Sequence, residues 1–176
     1  MATSYYPFWK SQSPRTQVIA HASLKAAQAT AMLLPPLYLV SSLLIRRGTR
    51  PFSVARWMRV STGGTVVGAG IGAGLGWLRL RDQPDYALED RAYRLANNAS
   101  QLRADDYSII GAALSALVIP AIFLRRASLP ALVLGGASIG LGVGTWTHIV
   151  KVFTEGEKVK PEGMVGEVPV VGGNEK

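Results

Sequence analysis

The sequence of 176 residues contains no cysteine and only two histidines, His21 and His148. The lack of cysteine excludes disulfide bonds, thiolate metal sites, iron–sulfur clusters and cysteine nucleophiles. Two histidines offer few ligands for a metal centre and few groups for acid–base chemistry. The sequence therefore predicts no catalytic residue, no metal site and no bound cofactor.

Charged residues are also missing from four long apolar stretches, although the chain as a whole has a net charge of +8. These stretches cover residues 26–45, 60–78, 107–124 and 129–150. Each is close to the ~20 apolar residues that a helix needs to cross the hydrocarbon core of a bilayer. We therefore predict an all-α integral membrane protein in which four transmembrane helices form one membrane domain, 26–150.

Glycine recurs at steps of four residues in the second and fourth stretches. Residues four apart share one face of a helix, so each series forms a bare stripe that a second helix backbone can approach closely. In water each interior glycine costs a helix about 1 kcal/mol relative to alanine, whereas a bilayer forces the backbone to be helical. We predict glycine-zipper packing at the following positions: Gly64, Gly68, Gly72, Gly76, Gly136, Gly140 and Gly144.

Three segments lie outside these stretches or between them. Residues 1–25 are expected to form an irregular arm followed by a helix, which Ser13 caps and Pro14 begins. Residues 85–103 place apolar side chains at helical spacing, which predicts an amphipathic helix between spans two and three. Residues 151–176 alternate charges with glycine and proline, and we expect an extended tail.

Polar residues near the span ends and a proline pair within the first span are expected to have structural roles. The pair Asp105-Asp106 is expected at a helix boundary or on the surface, since no further ligands accompany it. His148 lies near the end of the fourth span and is expected to be an interfacial or packing residue. The pair Pro35-Pro36 should kink the first span, because proline removes a backbone donor and clashes one turn back.

The loops after spans one and three carry seven arginines and no acidic residue. Because short loops rich in Arg and Lys stay on the side of synthesis or insertion, both loops should face one side and the termini the other. We expect these loops to bind phospholipid headgroups, with cardiolipin the natural candidate, rather than nucleic acid. The residues assigned to headgroup binding are Arg46, Arg47, Arg125 and Arg126.

The two basic loops also share a pattern. Each begins with Arg-Arg and ends with proline, at residues 46–51 and 125–130. In both cases a proline-containing span precedes the loop and a glycine-rich span follows it. The chain is therefore predicted to contain two copies of a two-helix hairpin.

Several local motifs resemble a known family. The opening Tyr5-Tyr6-Pro7-Phe8-Trp9-Lys10, the segment Ser13-Pro14-Arg15-Thr16-Gln17 and the pair Pro35-Pro36 are similar to a small fungal-type accessory subunit of respiratory complex I. Four short spans with glycine zippers also resemble the mitochondrial inner-membrane translocase family.

The resemblance implies a non-catalytic accessory subunit that supports the membrane arm of mitochondrial complex I. It implies a place in the inner membrane, with the termini in the intermembrane space and other membrane-arm subunits as partners. Two alternatives remain open at this point. One is a component of an inner-membrane protein translocase or channel, and the other is a protein that shapes the cristae membrane.

Overall fold

The computed structural model describes residues 11–45 and 52–155, which form five α-helices and no strand. A π-helical turn, Ser41–Ile45, continues the first helix at its carboxyl end. The helices are α1 Pro14–Val40, α2 Val54–Leu80, α3 Asp85–Ala96, α4 Ala99–Phe123 and α5 Leu129–Glu155. The prediction of an all-helical protein is confirmed.

The helices pack as two hairpins. In the first hairpin α1 lies against α2, and in the second α4 lies against α5. Helix α5 also contacts α1 and α2 and so joins the two hairpins, while the short helix α3 lies mainly on α1. The chain thus folds in the arrangement expected from its two similar loops.

Capping residues set two of the helix boundaries. Ser13 precedes Pro14 at the start of α1, and its hydroxyl accepts a hydrogen bond from the Thr16 amide at 3.3 Å. The predicted amphipathic helix over 85–103 differs from the structure, which divides this segment between α3 and α4. Asn98 begins α4 there, because its side chain accepts a hydrogen bond from the Gln101 amide at 3.2 Å.

Three of the described helices are long and apolar enough to cross a membrane. They are Pro14–Leu44, Ala99–Phe123 and Leu129–Thr154. Helix α2, which contains the predicted second span, has 27 residues and matches them in length. It falls short of them in hydropathy because glycine, serine and threonine occupy many of its positions. Membrane association is therefore shown by three helices, and the fourth span stays a prediction.

Some predicted segments lie partly or wholly outside the residues that the structure describes. Residues 1–10, 46–51 and 156–176 lie outside the part of the chain that the structure describes. The aromatic arm and most of the tail therefore stay predictions. Helix α5 runs to Glu155, five residues beyond the predicted end of the fourth span at 150, so the tail begins later than expected.

Helix α1 continues through Pro35 and Pro36, neither of which has a backbone N–H group. Helix α5 lies against the carbonyls of α1 that these N–H groups would otherwise bind. A proline leaves the carbonyl four residues earlier without its helical hydrogen bond, which here affects Ala31 and Met32. The indole of Trp146 donates a hydrogen bond to the Met32 carbonyl at 3.3 Å. The double proline therefore creates an acceptor that the second hairpin uses.

We expect Trp146→Phe to lower the free energy of unfolding by about 1 kcal/mol, the usual value of one hydrogen bond. The phenyl ring keeps most of the packing but removes the donor to Met32. Denaturant titration of the purified chain in detergent measures the loss. Trp77→Phe is the control, since the indole of Trp77 is half exposed and makes no hydrogen bond to the described residues. Equal losses in both variants would contradict the assignment.

Candidate functional site

A cluster of polar side chains joins α1 to α4 near one end of the bundle. His21, Lys25 and Gln28 lie at positions i, i+4 and i+7 of α1, so they share one face of that helix. Asp105 and Ser108, three residues apart on α4, meet them. We call these five residues the polar cluster.

The carboxylate of Asp105 is the centre of the polar cluster. The Lys25 ammonium donates to Asp105 Oδ1 at 2.7 Å, and the Gln28 amide donates to the same oxygen at 2.8 Å. His21 Nδ1 lies 3.6 Å from Asp105 Oδ2. The carboxylate thus interacts with three side chains of α1, and an ion pair connects the first hairpin to the second.

A second layer of hydrogen bonds completes the polar cluster. The Gln28 amide also donates to Ser108 Oγ at 2.8 Å, and Ser108 donates to the backbone carbonyl of Asp105 at 2.8 Å. Gln28 and Ser108 are buried, with exposures of 3% and 0%. A buried polar network of this kind stabilises one arrangement of two helices only while every member keeps its partners.

The structure corrects the expectation that Asp105 lies on the surface. Asp105 is only 9% exposed. The reason is that α4 begins at Ala99, eight residues before the predicted span, and Asp105 therefore lies inside a helix that faces α1. The i, i+4, i+7 spacing places three polar side chains on one face of α1, but it does not identify Asp105 as their partner.

The predicted glycine stripe of α2 faces α1. A Cβ added to Gly68 would meet Thr30 and lie 2.9 Å from the Ala26 carbonyl oxygen, and one added to Gly72 would lie 2.5 Å from the Ala22 carbonyl oxygen. At the two ends of the stripe, a Cβ added to Gly64 would meet the Leu34 side chain, and a Cβ added to Gly76 would lie 3.3 Å from Ala22 Cβ. Only glycine allows the two backbones to lie this close at Gly68 and Gly72.

The predicted glycine stripe of α5 faces α4 and comes even closer to its backbone. A Cβ on Gly136 would lie 2.6 Å from the Ser115 carbonyl oxygen. One on Gly140 would meet the Gly111 carbonyl oxygen, and one on Gly144 would meet the Tyr107 carbonyl oxygen. The α4–α5 pair is therefore held at a separation that excludes any side chain along this line.

Two glycines of α5 that the four-residue pattern missed contact the first hairpin. A Cβ on Gly142 would meet the Ala31 carbonyl, the other acceptor freed by the double proline, and one on Gly135 would lie 2.6 Å from Met58 Cβ. Met58 is fully buried. Because these glycines lie off the main stripe, spacing within α5 could not have identified them.

A third set of glycines on α2 contacts nothing within the described chain. A Cβ added to Gly63, Gly70 or Gly74 would have no neighbour within 4 Å among those residues. We call these three positions the open glycine line. At 100° per residue they lie on the side of α2 opposite the stripe that faces α1. Val66 and Val67, which flank this line on the same side of α2, are 64% and 60% exposed.

The predicted headgroup residues are only partly described. Arg125 and Arg126 are exposed in the short turn between α4 and α5, where the Arg126 amide donates to the Phe123 carbonyl at 2.7 Å. Arg46 and Arg47 lie outside the described residues. The turn places these two arginines at the end of the bundle opposite the polar cluster.

His148 lies close to the polar cluster but does not belong to it. The residue is 6% exposed, and its ring centroid is 6.1 Å from that of Tyr107. Its Nδ1 has no hydrogen-bond partner within residues 11–45 and 52–155. In the same part of the chain no group of three or more metal-ligating side chains could hold a metal ion.

The sequence matches one family of proteins. The match covers residues 9–151, which include all five helices except the last residues of α5. A comparison with curated proteins finds no match to this chain. Because the family match extends over most of the sequence, the chain belongs to the family described as Protein of unknown function (DUF1757).

Proposed function

We propose that this protein is a non-catalytic, four-span subunit of a large membrane complex. In detail, we propose an accessory subunit that supports assembly or stability of the membrane arm of mitochondrial complex I. The aromatic opening segment and the proline pair, which resemble a fungal-type accessory subunit, support this identity. Three helices that are long and apolar enough to cross a membrane support a membrane protein.

Helix α2 supplies the fourth span in this proposal. At ~1.5 Å per residue its 27 residues reach about 40 Å, more than the ~30 Å of a hydrocarbon core. It packs along α1, which is apolar enough to span on its own. A helix with modest hydropathy is stable in a bilayer when neighbouring helices cover part of its surface. Helix α2 has two such neighbours, α1 and α5, which cover one of its sides.

The open glycine line is the observation that carries the proposal of a larger assembly. Its glycines offer lipid almost no apolar side-chain surface, but they allow another helix backbone to come close. The glycines of α2 that face α1 are an example, because they let the backbones of the two helices lie in close contact. A neighbouring subunit on the open glycine line would cover the remaining side of α2.

The internal glycine stripes have a different role in this proposal. Gly68 and Gly140 act as zipper residues that hold each hairpin together, since their backbones contact α1 and α4. Arg125 and Arg126 would bind phospholipid headgroups on the matrix side, and both termini would lie in the intermembrane space. The glycines inside the hairpins thus maintain the fold, and those outside serve assembly.

The proposed function is tested by native electrophoresis of mildly solubilised membranes. The chain is tagged, and the bands are analysed by mass spectrometry. We expect it to migrate at very high mass with NADH dehydrogenase activity. A smaller assembly that contains precursor proteins, or a ladder of the chain alone, would contradict the proposal and favour the translocase or the membrane-shaping alternative.

A double variant at the open glycine line separates assembly from folding. We expect Gly70→Leu with Gly74→Leu to leave the isolated chain folded, because a Cβ at either position would have no neighbour within 4 Å among the described residues. The same variant should lose most of the high-mass band, since two leucines would prevent close approach of a neighbouring helix.

The matched control for this variant is Leu117→Phe, which enlarges a side chain that is 74% exposed on α4. Native electrophoresis should show an unchanged high-mass band for this control. If the double glycine variant assembles as well as Leu117→Phe does, the open glycine line is not an interface.

A further inference from the structure

A groove between α1 and α3 carries basic side chains that the proposed function does not use. It has a volume of about 520 Å³ and is open on one side. The residues that line it are Val18, His21, Ala22, Arg91, Arg94, Leu95 and Asn98. We call it the α1–α3 groove. It lies beside the polar cluster, at the end of the bundle opposite the Arg125-Arg126 turn.

We propose that the α1–α3 groove binds an anionic phospholipid through the phosphate of its headgroup. Guanidinium groups match phosphate oxygens in geometry and form strong charge-assisted hydrogen bonds with them. Arg91 and Arg94 would contact the phosphate, and the amide of Asn98 and the ring of His21 add further polar groups. The site is separate from the basic loops at the other end of the bundle.

The charges of α3 are segregated in a way that favours an anion. Its three acidic residues, Asp85, Glu89 and Asp90, are exposed and do not line the groove, whereas both of its arginines do. Arg94 pairs with Asp90, and this hydrogen bond lowers the pKa of the Asp90 carboxyl. Arg91 makes no ion pair with any described residue and is therefore available for a ligand.

The buried carboxylate of Asp105 is already paired with a cation, so it repels an anion less than an unpaired carboxylate would. Lys25 pairs with it at 2.7 Å. His21 Nδ1 lies 3.6 Å from Asp105 Oδ2, so His21 lies between this carboxylate and the groove that it lines. His21 therefore belongs to both sites, and it separates the polar cluster from the proposed phosphate position.

The apolar lining distinguishes a lipid from free phosphate. Val18, Ala22 and Leu95 line the same groove as the arginines. A free phosphate ion would leave this apolar surface exposed, whereas an acyl chain would cover it. Basic pockets between helices near a membrane surface bind anionic lipid headgroups, and α3 places its arginines next to a helix that can span the bilayer.

Native mass spectrometry of the delipidated full chain in non-ionic detergent tests the proposal. Phosphatidylglycerol, phosphatidylcholine and inorganic phosphate are the probes, each added to the wild-type chain and to Arg91→Gln. We expect the wild-type chain to bind phosphatidylglycerol about tenfold more tightly than phosphatidylcholine, and Arg91→Gln to lose that preference. Inorganic phosphate should not compete.

Arg81→Gln is the matched control, because Arg81 is exposed, pairs with Asp82 and lies outside the groove. It removes the same charge and should keep the preference. The proposal is overturned if Arg91→Gln and Arg81→Gln bind alike, or if phosphatidylcholine binds as tightly as phosphatidylglycerol. Displacement by millimolar phosphate would show a free-anion site instead. His21→Gln, which removes a second groove residue, should weaken binding of phosphatidylglycerol independently.

Discussion

Asp105→Leu is expected to destabilise the protein by about 3 kcal/mol or more, because it leaves the Lys25 ammonium partly buried without its partner. The substitution also leaves the Gln28 amide with one acceptor in place of two. Denaturant titration of the purified chain in detergent, followed by circular dichroism, measures the change. Asp82→Leu is the control, since the Asp82 side chain is 80% exposed and its ion pair with Arg81 is open to solvent.

A second substitution distinguishes an unpaired charge from a general packing defect. Lys25→Met in the Asp105→Leu background removes the stranded ammonium, and we expect it to restore about half or more of the lost stability. Recovery of this kind requires direct coupling between α1 and α4. If the double variant is as unstable as the sum of the two single variants, Lys25 and Asp105 do not interact in the folded protein.

Gly140→Leu is expected to cost at least about 3 kcal/mol, at the upper end of the losses that overpacking causes. A Cβ at this position already meets the Gly111 carbonyl and lies 2.6 Å from Ser115 Cβ. Backbone atoms cannot rotate away as a side chain can, so α4 and α5 must separate along the line they share. The same titration, performed on the purified chain, measures the loss.

Gly70→Leu provides the matched control for Gly140→Leu. Both changes add the same side chain to a helix of 27 residues, but a Cβ at Gly70 has no neighbour within 4 Å in the described chain. We expect no loss of unfolding free energy, and a gain of at most about 1 kcal/mol, because leucine forms helix more readily than glycine. Equal destabilisation of the two variants would show that leucine disturbs these helices through something other than contact with α4.

The helical hairpins were predictable because their signals are local. Uncharged stretches of about twenty residues indicated long helices. The four-residue glycine spacing identified the faces of α2 and α5 on which Gly68 and Gly140 lie, since helical periodicity alone fixes a face. Spacing within one helix, however, does not tell which other helix contacts that face. The partners, α1 for α2 and α4 for α5, follow only from the fold.

The polar cluster was not predictable from local pattern. The sequence predicts Asp105 at a helix boundary or on the surface, since no further ligands accompany it, whereas helix α4 begins eight residues before the predicted span and contains Asp105 in its interior. His21, Lys25 and Gln28 share a face of α1, but a polar face near a helix end usually meets solvent. Seventy-seven residues separate Gln28 from Asp105, and only tertiary packing shows that they are bonded.

The contacts of the double proline show the same limit. The sequence establishes which carbonyls of α1 lose their donors, because the positions follow from proline chemistry. It does not show that Trp146 and Gly142 of α5 lie against those carbonyls. Contacts between the two hairpins therefore follow only from the structure, whereas the sequence identifies which residues share a face of one helix.

Single-cysteine labelling across α2 tests the central claim, that four helices cross the membrane, most directly. The chain has no cysteine of its own, so one introduced thiol gives an unambiguous signal. Ser53→Cys and Gln83→Cys flank α2, and Ser128→Cys lies in the turn before α5. A membrane-impermeant maleimide is added to sealed vesicles of known orientation, before and after permeabilisation. The four-span fold predicts that Ser53→Cys and Ser128→Cys react from one side and Gln83→Cys from the other. Labelling of Ser53→Cys and Gln83→Cys from the same side would show that α2 does not cross, and would contradict the account.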